Sequence, residues 1–197
     1  ENLGQLENNA NLVNSKIGFK DILIFAPDLA NTNPFKSNPT AIMSVNSKVS
    51  GKLSALSIPN LEISGIGTTK IAASGKIIGL PDTKNAYFDL NIRNLQSGSK
   101  DLNQFVPKGT IPSNIQLPGQ FAVKGTFKGK MDNFNTNLNL TSSFGNAKVN
   151  ATFDQRTKNQ EKYNAQATLD NFDIGKLIRN DSIGKVSLKA NVKGTGL

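Results

Sequence analysis

The clearest structural signal in this chain is Tyr163-Asn-Ala-Gln-Ala-Thr-Leu-Asp-Asn-Phe-Asp-Ile-Gly-Lys-Leu-Ile178, followed by Gly184-Lys-Val-Ser-Leu-Lys-Ala-Asn-Val-Lys-Gly194. Apolar and polar residues alternate in the first and last parts, and this period of two predicts a pair of strands. Between them, Asp173 is a suitable N-cap for a short helix, which we predict over Asp173–Arg179. The segment therefore predicts a strand, a short helix and a returning strand.

The same unit occurs a second time, earlier in the chain. It begins with Ala86–Leu95, continues through a predicted helix over Gly98–Phe105, and returns as Gly119–Gly129. Its connection, residues 95–119, is longer than the equivalent residues 172–184. Repetition of one unit is typical of modular proteins, in which each unit buries its apolar face by packing on the next.

Further alternating segments flank these units. We expect residues 1–40 to hold a leading strand, Ile17–Ala26, and a loop rich in Pro and Asn, and residues 41–197 to form the repeated part. One-sided alternation is typical of antiparallel sheets, and glycines inside strands, such as Gly75 and Gly125, permit sharp bending. The predicted fold class is all-β, an elongated and strongly curved antiparallel sheet that forms an open groove (a β-taco) with one or two short helices. The strands predicted in the repeated part are Ala41–Leu53, Leu61–Ile66, Lys70–Gly79, Ala86–Asn94, Gln120–Lys130, Thr136–Ser142, Lys148–Phe153, Tyr163–Leu169 and Lys185–Lys193.

The composition argues against catalysis. The chain has no His, Cys or Trp, so the commonest general base, the thiol nucleophile and the usual zinc ligands are missing. The carboxylates are scattered and show no calcium-loop spacing. We predict no enzymatic activity, no cofactor and no metal site. The net charge of +9 comes with lysines that alternate with apolar residues, which predicts a solvated outer face and no nucleic-acid site, because interleaved aromatics are lacking.

Three segments carry a resemblance to a known family: Phe121–Gly129, Gly145–Phe153 and Tyr163–Ile178. In residue type and in the order of strand, short helix and strand, they resemble the repeated core of TamB-type proteins, which belong to the AsmA-like group of Gram-negative envelope proteins. The resemblance covers roughly residues 41–197. It implies a segment of a longer protein that is anchored in the inner membrane outside this fragment, spans the periplasm, and meets an outer-membrane barrel protein of the TamA/BamA type.

In that family the groove is thought to carry phospholipid between the inner and outer membranes or to support assembly of outer-membrane proteins. The resemblance thus implies phospholipid acyl chains as partners. The alternating strands supply the candidate groove lining: Phe88, Leu90, Ile92, Phe121, Val123, Phe127, Leu138, Leu140, Val149, Phe153, Leu169, Val186, Leu188 and Val192. An alternative is a β-sandwich that serves as an adhesin or as a glycan- or protein-binding module of the envelope. It needs a second sheet and outward-facing aromatics, for which Tyr87 and Tyr163 are the candidates.

Overall fold

A computed structural model describes residues 3–105, 109, 111–157 and 159–196. These residues form a single ten-stranded antiparallel sheet in which every strand pairs with its neighbours in sequence. The sheet does not close on itself, and the described strands form one sheet, whereas a sandwich needs two. The strands are β1 (Glu7–Gly18), β2 (Ile42–Lys52), β3 (Ala55–Ile66), β4 (Thr69–Ile78), β5 (Tyr87–Ser97), β6 (Phe121–Lys130), β7 (Asn133–Ser142), β8 (Gly145–Asp154), β9 (Lys162–Asp173) and β10 (Lys185–Thr195).

Three short α-helices lie within the described residues, α1 (Phe19–Phe25), α2 (Ser99–Phe105) and α3 (Ile174–Ile178). The last two confirm the predicted helices. In α3 the Asp173 carboxylate accepts a hydrogen bond from the Lys176 backbone N–H at 3.0 Å, which confirms it as the N-cap. Two short 3-10 turns, Leu3–Gln5 and Pro27–Asn31, complete the elements.

The predicted strand Ile17–Ala26 is wrong. β1 ends at Gly18 and the next seven residues form α1, so the polar residues before Ile17 supply most of the leading strand. The helix begins here because the Asp21 carboxylate accepts a hydrogen bond from the Gly18 N–H at 2.8 Å, which caps an otherwise unpaired donor. A short apolar run such as residues 22–25 fits a helix and a strand equally well.

The helices occur at a regular interval in the sheet. α1 follows β1, α2 follows β5 and α3 follows β9, so one strand–helix–strand unit begins every four strands. The described part of the chain therefore contains three such units, whereas the sequence pattern predicts two. All three helices leave the same end of the sheet, which we call the helical end; the other end holds turns such as those at residues 53–54, 79–86 and 131–132.

Two small apolar clusters lie at the helical end. In the first, Phe19 of α1 packs on Met43 and Val45 of β2. In the second, Phe144 from the β7–β8 turn packs on Phe172, next to α3. Phe19 is the largest fully buried side chain among the described residues, only 1% exposed. Because these clusters are small and lie at one end, most of the sheet's apolar face contributes to neither.

Register shifts and strand glycines bend the sheet. Shifts interrupt each pairing from β1 to β6 and the pairing of β9 with β10, and such bulges increase local twist and curvature. Gly125 has a φ of +149°, and a Cβ atom there would overlap the Asn137 carbonyl oxygen on the next strand. This position of β6 therefore requires glycine.

We expect Gly125→Ala to destabilise the protein by about 2–3 kcal/mol, because the new side chain combines a disfavoured φ with a collision against backbone. Equilibrium urea unfolding measures the loss. The matched control is Gly184→Ala, since a Cβ atom at Gly184 would have no heavy atom of another described residue within 4 Å. An equal effect of the two substitutions would contradict this account of Gly125.

Candidate functional site

The antiparallel register aligns mainly apolar residues into four ladders that cross one face of the sheet. Together their side chains form a surface that we call the floor. From the helical end, ladder one is Val45, Ile63, Ile71, Leu95, Val123, Leu140, Ala147, Leu169 and Leu188; ladder two is Leu12, Ser47, Leu61, Ala73, Ile92, Gly125, Leu138, Val149, Ala167 and Ala190; ladder three is Ile58, Gly75, Leu90, Phe127, Thr136, Ala151, Ala165 and Val192; ladder four is Leu56, Ile77, Phe88, Gly129, Phe134, Phe153, Tyr163 and Gly194.

The predicted groove residues lie on this face. The register places twelve of the fourteen in the four ladders. The other two, Phe121 and Val186, lie beyond ladder one at the helical end, where Phe121 pairs with Ser97 and Val186 pairs with Phe172. None of the fourteen is fully buried. Leu188 is 39% exposed and Val192 is 52% exposed.

Exposure of the floor changes across the sheet. In ladder one, Val45 of β2 is 4% exposed and Leu188 of β10 is 39% exposed. Between β5 and β10, Ala147 is the only buried floor side chain among the described residues; the rest are half-buried or exposed. A closed interior buries its apolar side chains almost completely. The part of the floor on β5–β10 is therefore an open apolar surface, which we call the open floor.

A row of phenylalanines lies on the open floor, away from the helices. The ring centroids of Phe127 and Phe134 are 4.9 Å apart, those of Phe134 and Phe153 are 5.5 Å apart, and those of Phe88 and Phe127 are 6.4 Å apart. Phe134 lies outside the predicted strand Thr136–Ser142, although it continues the alternation with Thr136. These contacts stabilise the apolar surface without any covering layer.

Tyr163 belongs to this face as well. It pairs with Phe153 on one side and Gly194 on the other, and a Cβ on Gly194 would overlap the Tyr163 ring. Tyr163 is therefore not an outward-facing aromatic, as the adhesin alternative required. Tyr87, by contrast, is exposed and alternates with floor residue Phe88.

Sequence reasoning missed the floor residues of β3 and β4, such as Ile58, Ile63 and Ile71. Their alternation is present but interrupted. The pairing of β3 with β4 shifts between Ile58 and Leu61, so residues of different sequence parity face the same side. An alternation test that allowed one bulge could have found them.

The floor on β1–β3 is covered by α1 and the 3-10 turn Pro27–Asn31, which we call the roof. Under the roof lies an apolar cavity of about 390 Å³, bounded by Ile22, Phe25 and Leu29 from the roof side and by Ala10, Val49 and Leu56 from the sheet. Met43 and Val45, toward the helical end, are buried against Phe19. The floor thus has a roofed part and an open part.

The other face of the sheet is polar. Lys124, Asn139 and Lys148 stand opposite one another on neighbouring strands, and all three are exposed. Lys128 forms an ion pair with Asp89 at 3.2 Å, with both side chains about half exposed, so it contributes little to stability. This arrangement agrees with the prediction that the alternating lysines lie on a solvated face.

A buried carboxylate joins α2 to the β3–β4 turn. Asp101 is 6% exposed and accepts hydrogen bonds from the Thr68 hydroxyl at 2.6 Å and the Thr68 backbone N–H at 2.7 Å. The Thr69 hydroxyl lies within 3.3 Å of the same carboxylate. These bonds, the one from the Thr68 side chain first, lower the pKa of Asp101 below its ordinary value of 3.8, against the opposing effect of burial.

Because the pKa of Asp101 is lower in the folded protein, the ionised carboxylate stabilises the fold above pH 3.8 and this contribution is lost as the pH falls through the lowered value. We expect Asp101→Asn to cost about 1–3 kcal/mol at neutral pH, since a charged acceptor is lost. The difference between wild type and variant should shrink on acidification, as followed by urea unfolding over a pH series. The half-exposed control Asp89→Asn should change stability by less than about 0.5 kcal/mol, and a pH-independent Asp101→Asn difference would contradict this assignment.

The long connection between α2 and β6 reaches toward α3. The Gln116 N–H donates to the Leu177 carbonyl oxygen at 2.7 Å, and Pro118 is buried. Residues 106–108 and 110, including Pro107, lie outside the described residues. The described part of this insertion therefore runs along the helical end and links the second unit to the third.

No group of three or more acidic side chains gathers into a metal site in the described ranges. Likewise, no helix in the described part of the chain is long and apolar enough to cross a bilayer. Comparisons of the chain with protein-family models, curated proteins and solved structures give no match. The TamB-type resemblance therefore stays a prediction from the motifs quoted above.

Proposed function

We propose that this chain is a segment of a periplasmic TamB/AsmA-like protein whose floor carries the acyl chains of phospholipid between the inner and outer membranes. The observation that supports this proposal is the open floor. The four ladders continue across six strands, β5–β10, with side chains that are half-buried or exposed except for that of Ala147. A large exposed apolar surface on a folded protein usually marks a binding site.

Magnitudes favour the hydrocarbon part of a lipid as the bound group. Removing an acyl chain of about sixteen methylenes from water is worth roughly 13 kcal/mol at ~0.8 kcal/mol per methylene. A single lysine near an anionic headgroup contributes only about 1 kcal/mol. Strand lysines such as Lys124, Lys128 and Lys148 lie on the opposite face, so the acyl chain and not the headgroup determines where lipid binds.

The proposal includes a location and partners. The full-length protein would be anchored in the inner membrane by a segment outside this chain, and an outer-membrane barrel protein of the TamA/BamA type would receive the lipid. Nucleic acid is not proposed as a partner, because the basic side chains are dispersed over a polar face without stacking aromatics.

Native mass spectrometry of the purified chain tests the proposal. We expect adducts with the masses of phospholipids, lost on delipidation and regained after incubation with phosphatidylethanolamine and phosphatidylglycerol vesicles. A delipidated chain that takes up no phospholipid under conditions where it stays folded would contradict the proposal.

A second function, support of outer-membrane protein assembly, follows from the same resemblance. In that role an edge strand of the sheet would add to a strand of a client or barrel protein. Photo-crosslinks from Asn191 to a barrel protein, without lipid capture from the floor, would favour assembly over lipid transport.

A further inference from the structure

The roofed cavity differs from the rest of the floor in having apolar side chains on two facing sides. The roof residues Ile22, Phe25 and Leu29 lie on one side and the sheet residues Ala10, Val49 and Leu56 on the other. Its volume of about 390 Å³ is within the range of roughly 300–1,000 Å³ that small-molecule sites occupy. The floor therefore ends, on the β1 side, in a pocket of ligand size.

The chemistry of the pocket restricts its ligand. Its described lining contains no charged side chain, and Asn8 and Thr83 are the polar residues in that set. A phosphate, a sugar or a peptide backbone bound there would lose its hydrogen bonds to water without replacement, which is costly. A hydrocarbon makes no hydrogen bonds to water, so it loses none on entering the pocket. The lining therefore fits an unbranched or lightly branched alkyl chain.

Ladder four leads from the pocket across β4 to the open floor. Leu56 is the first residue of ladder four, and its neighbour along that ladder, Ile77, leads directly to Phe88 and the row of phenylalanines. The ladder positions between the pocket and the open floor therefore carry apolar side chains, while Leu80, Pro81 and Thr83 of the β4–β5 turn line the pocket beside them.

We infer that the roofed cavity binds the methyl end of one acyl chain while the remainder of that chain lies on the open floor. This inference rests on the proposed function, because it requires that the open floor binds hydrocarbon. The cavity then sets the direction in which the lipid binds: its methyl end lies under α1 and its headgroup points away from the roof.

The absence of Trp allows a direct test. We would introduce a single Trp into the roof, at the cavity lining, with Phe25→Trp and, separately, one on the open floor with Phe127→Trp. The probes are stearic acids brominated either near the methyl end or near the carboxyl group, because bromine quenches Trp fluorescence only at short range. We expect the methyl-end probe to quench Phe25→Trp much more strongly than the carboxyl-end probe does.

The quenching results separate a failure of this inference from a failure of the proposed function. If Phe127→Trp is quenched but Phe25→Trp is not, or is quenched equally by both probes, the inference is overturned and the proposed function stands. If neither variant is quenched, both this inference and the proposed function are contradicted.

As a second measurement, Ala10→Trp fills the pocket and should raise the fatty-acid Kd about tenfold, the effect of losing roughly two buried methylenes. Ala122→Trp, whose position alternates with floor residue Val123, is the matched control and should leave the Kd unchanged; equal effects would also overturn the inference.

Discussion

A single carboxylate on the open floor, introduced by Leu90→Asp or Phe127→Asp, should abolish phospholipid binding while the protein still folds and is expressed. Both residues belong to ladder three and are half-buried, so an aspartate there keeps access to water and the sheet can tolerate it. For an acyl chain the same aspartate is a charge in the middle of its binding surface, and contact with it requires desolvation of the carboxylate. Native mass spectrometry and lipid traffic by the full-length protein measure the loss.

The matched control is Asn91→Asp. It introduces the same charge one residue from Leu90, and Asn91 is exposed on the polar face. We expect this variant to bind phospholipid as the wild type does. Normal binding by Leu90→Asp, or an equal loss in Asn91→Asp, would show that the floor does not carry the lipid.

Truncation of the largest fully buried side chain in the described residues should destabilise the roof. Phe19 is 1% exposed, contacts Met43 and Val45, and its ring centroid is 4.5 Å from that of Phe35. We expect Phe19→Ala to lower the free energy of unfolding by about 3–5 kcal/mol, because the substitution leaves a cavity between α1 and β2. Urea unfolding measures the loss, and hydrogen exchange should show that amides of α1 lose protection first.

Phe25→Ala is the control for that prediction. Phe25 lies on the same helix but is 52% exposed, so its truncation should cost less than about 1 kcal/mol. If Phe19→Ala and Phe25→Ala cost the same, α1 is not held to the sheet by Phe19, and the description of α1 as a roof would be wrong.

Much of the fold follows from alternation. The bounds of β6 and β10 are predictable to within about two residues because their apolar and polar residues alternate without interruption. Asp173 is a local cap signal for α3. The run Ile22-Leu23-Ile24-Phe25 does not by itself distinguish helix from strand. Asp21 supplies a local cap for α1, but the contacts of Phe19 and Ile22 with β2 and β3 are a tertiary effect that local pattern does not encode.

The floor could be predicted only in part, for a similar reason. Alternation assigns Leu90 and Ile92 to one face of β5, but the alignment of Ile92 with Ala73 and Gly125 depends on bulges in both pairings. Contacts between distant segments, such as the hydrogen bonds of Asp101 to Thr68, leave no signal in local sequence. The roof escapes prediction because it requires α1 to be a helix and to lie over β1–β3.

Site-specific photo-crosslinking in the full-length protein tests the central claim most directly. A benzoylphenylalanine placed at Ile92, on the open floor, should capture phospholipid in cells, whereas the same group at Asn91, on the opposite face of β5, should not. Capture at Ile92 alone is the result that the open floor predicts. Capture at neither position, or equal capture at both, would contradict the claim that this face of the sheet carries lipid.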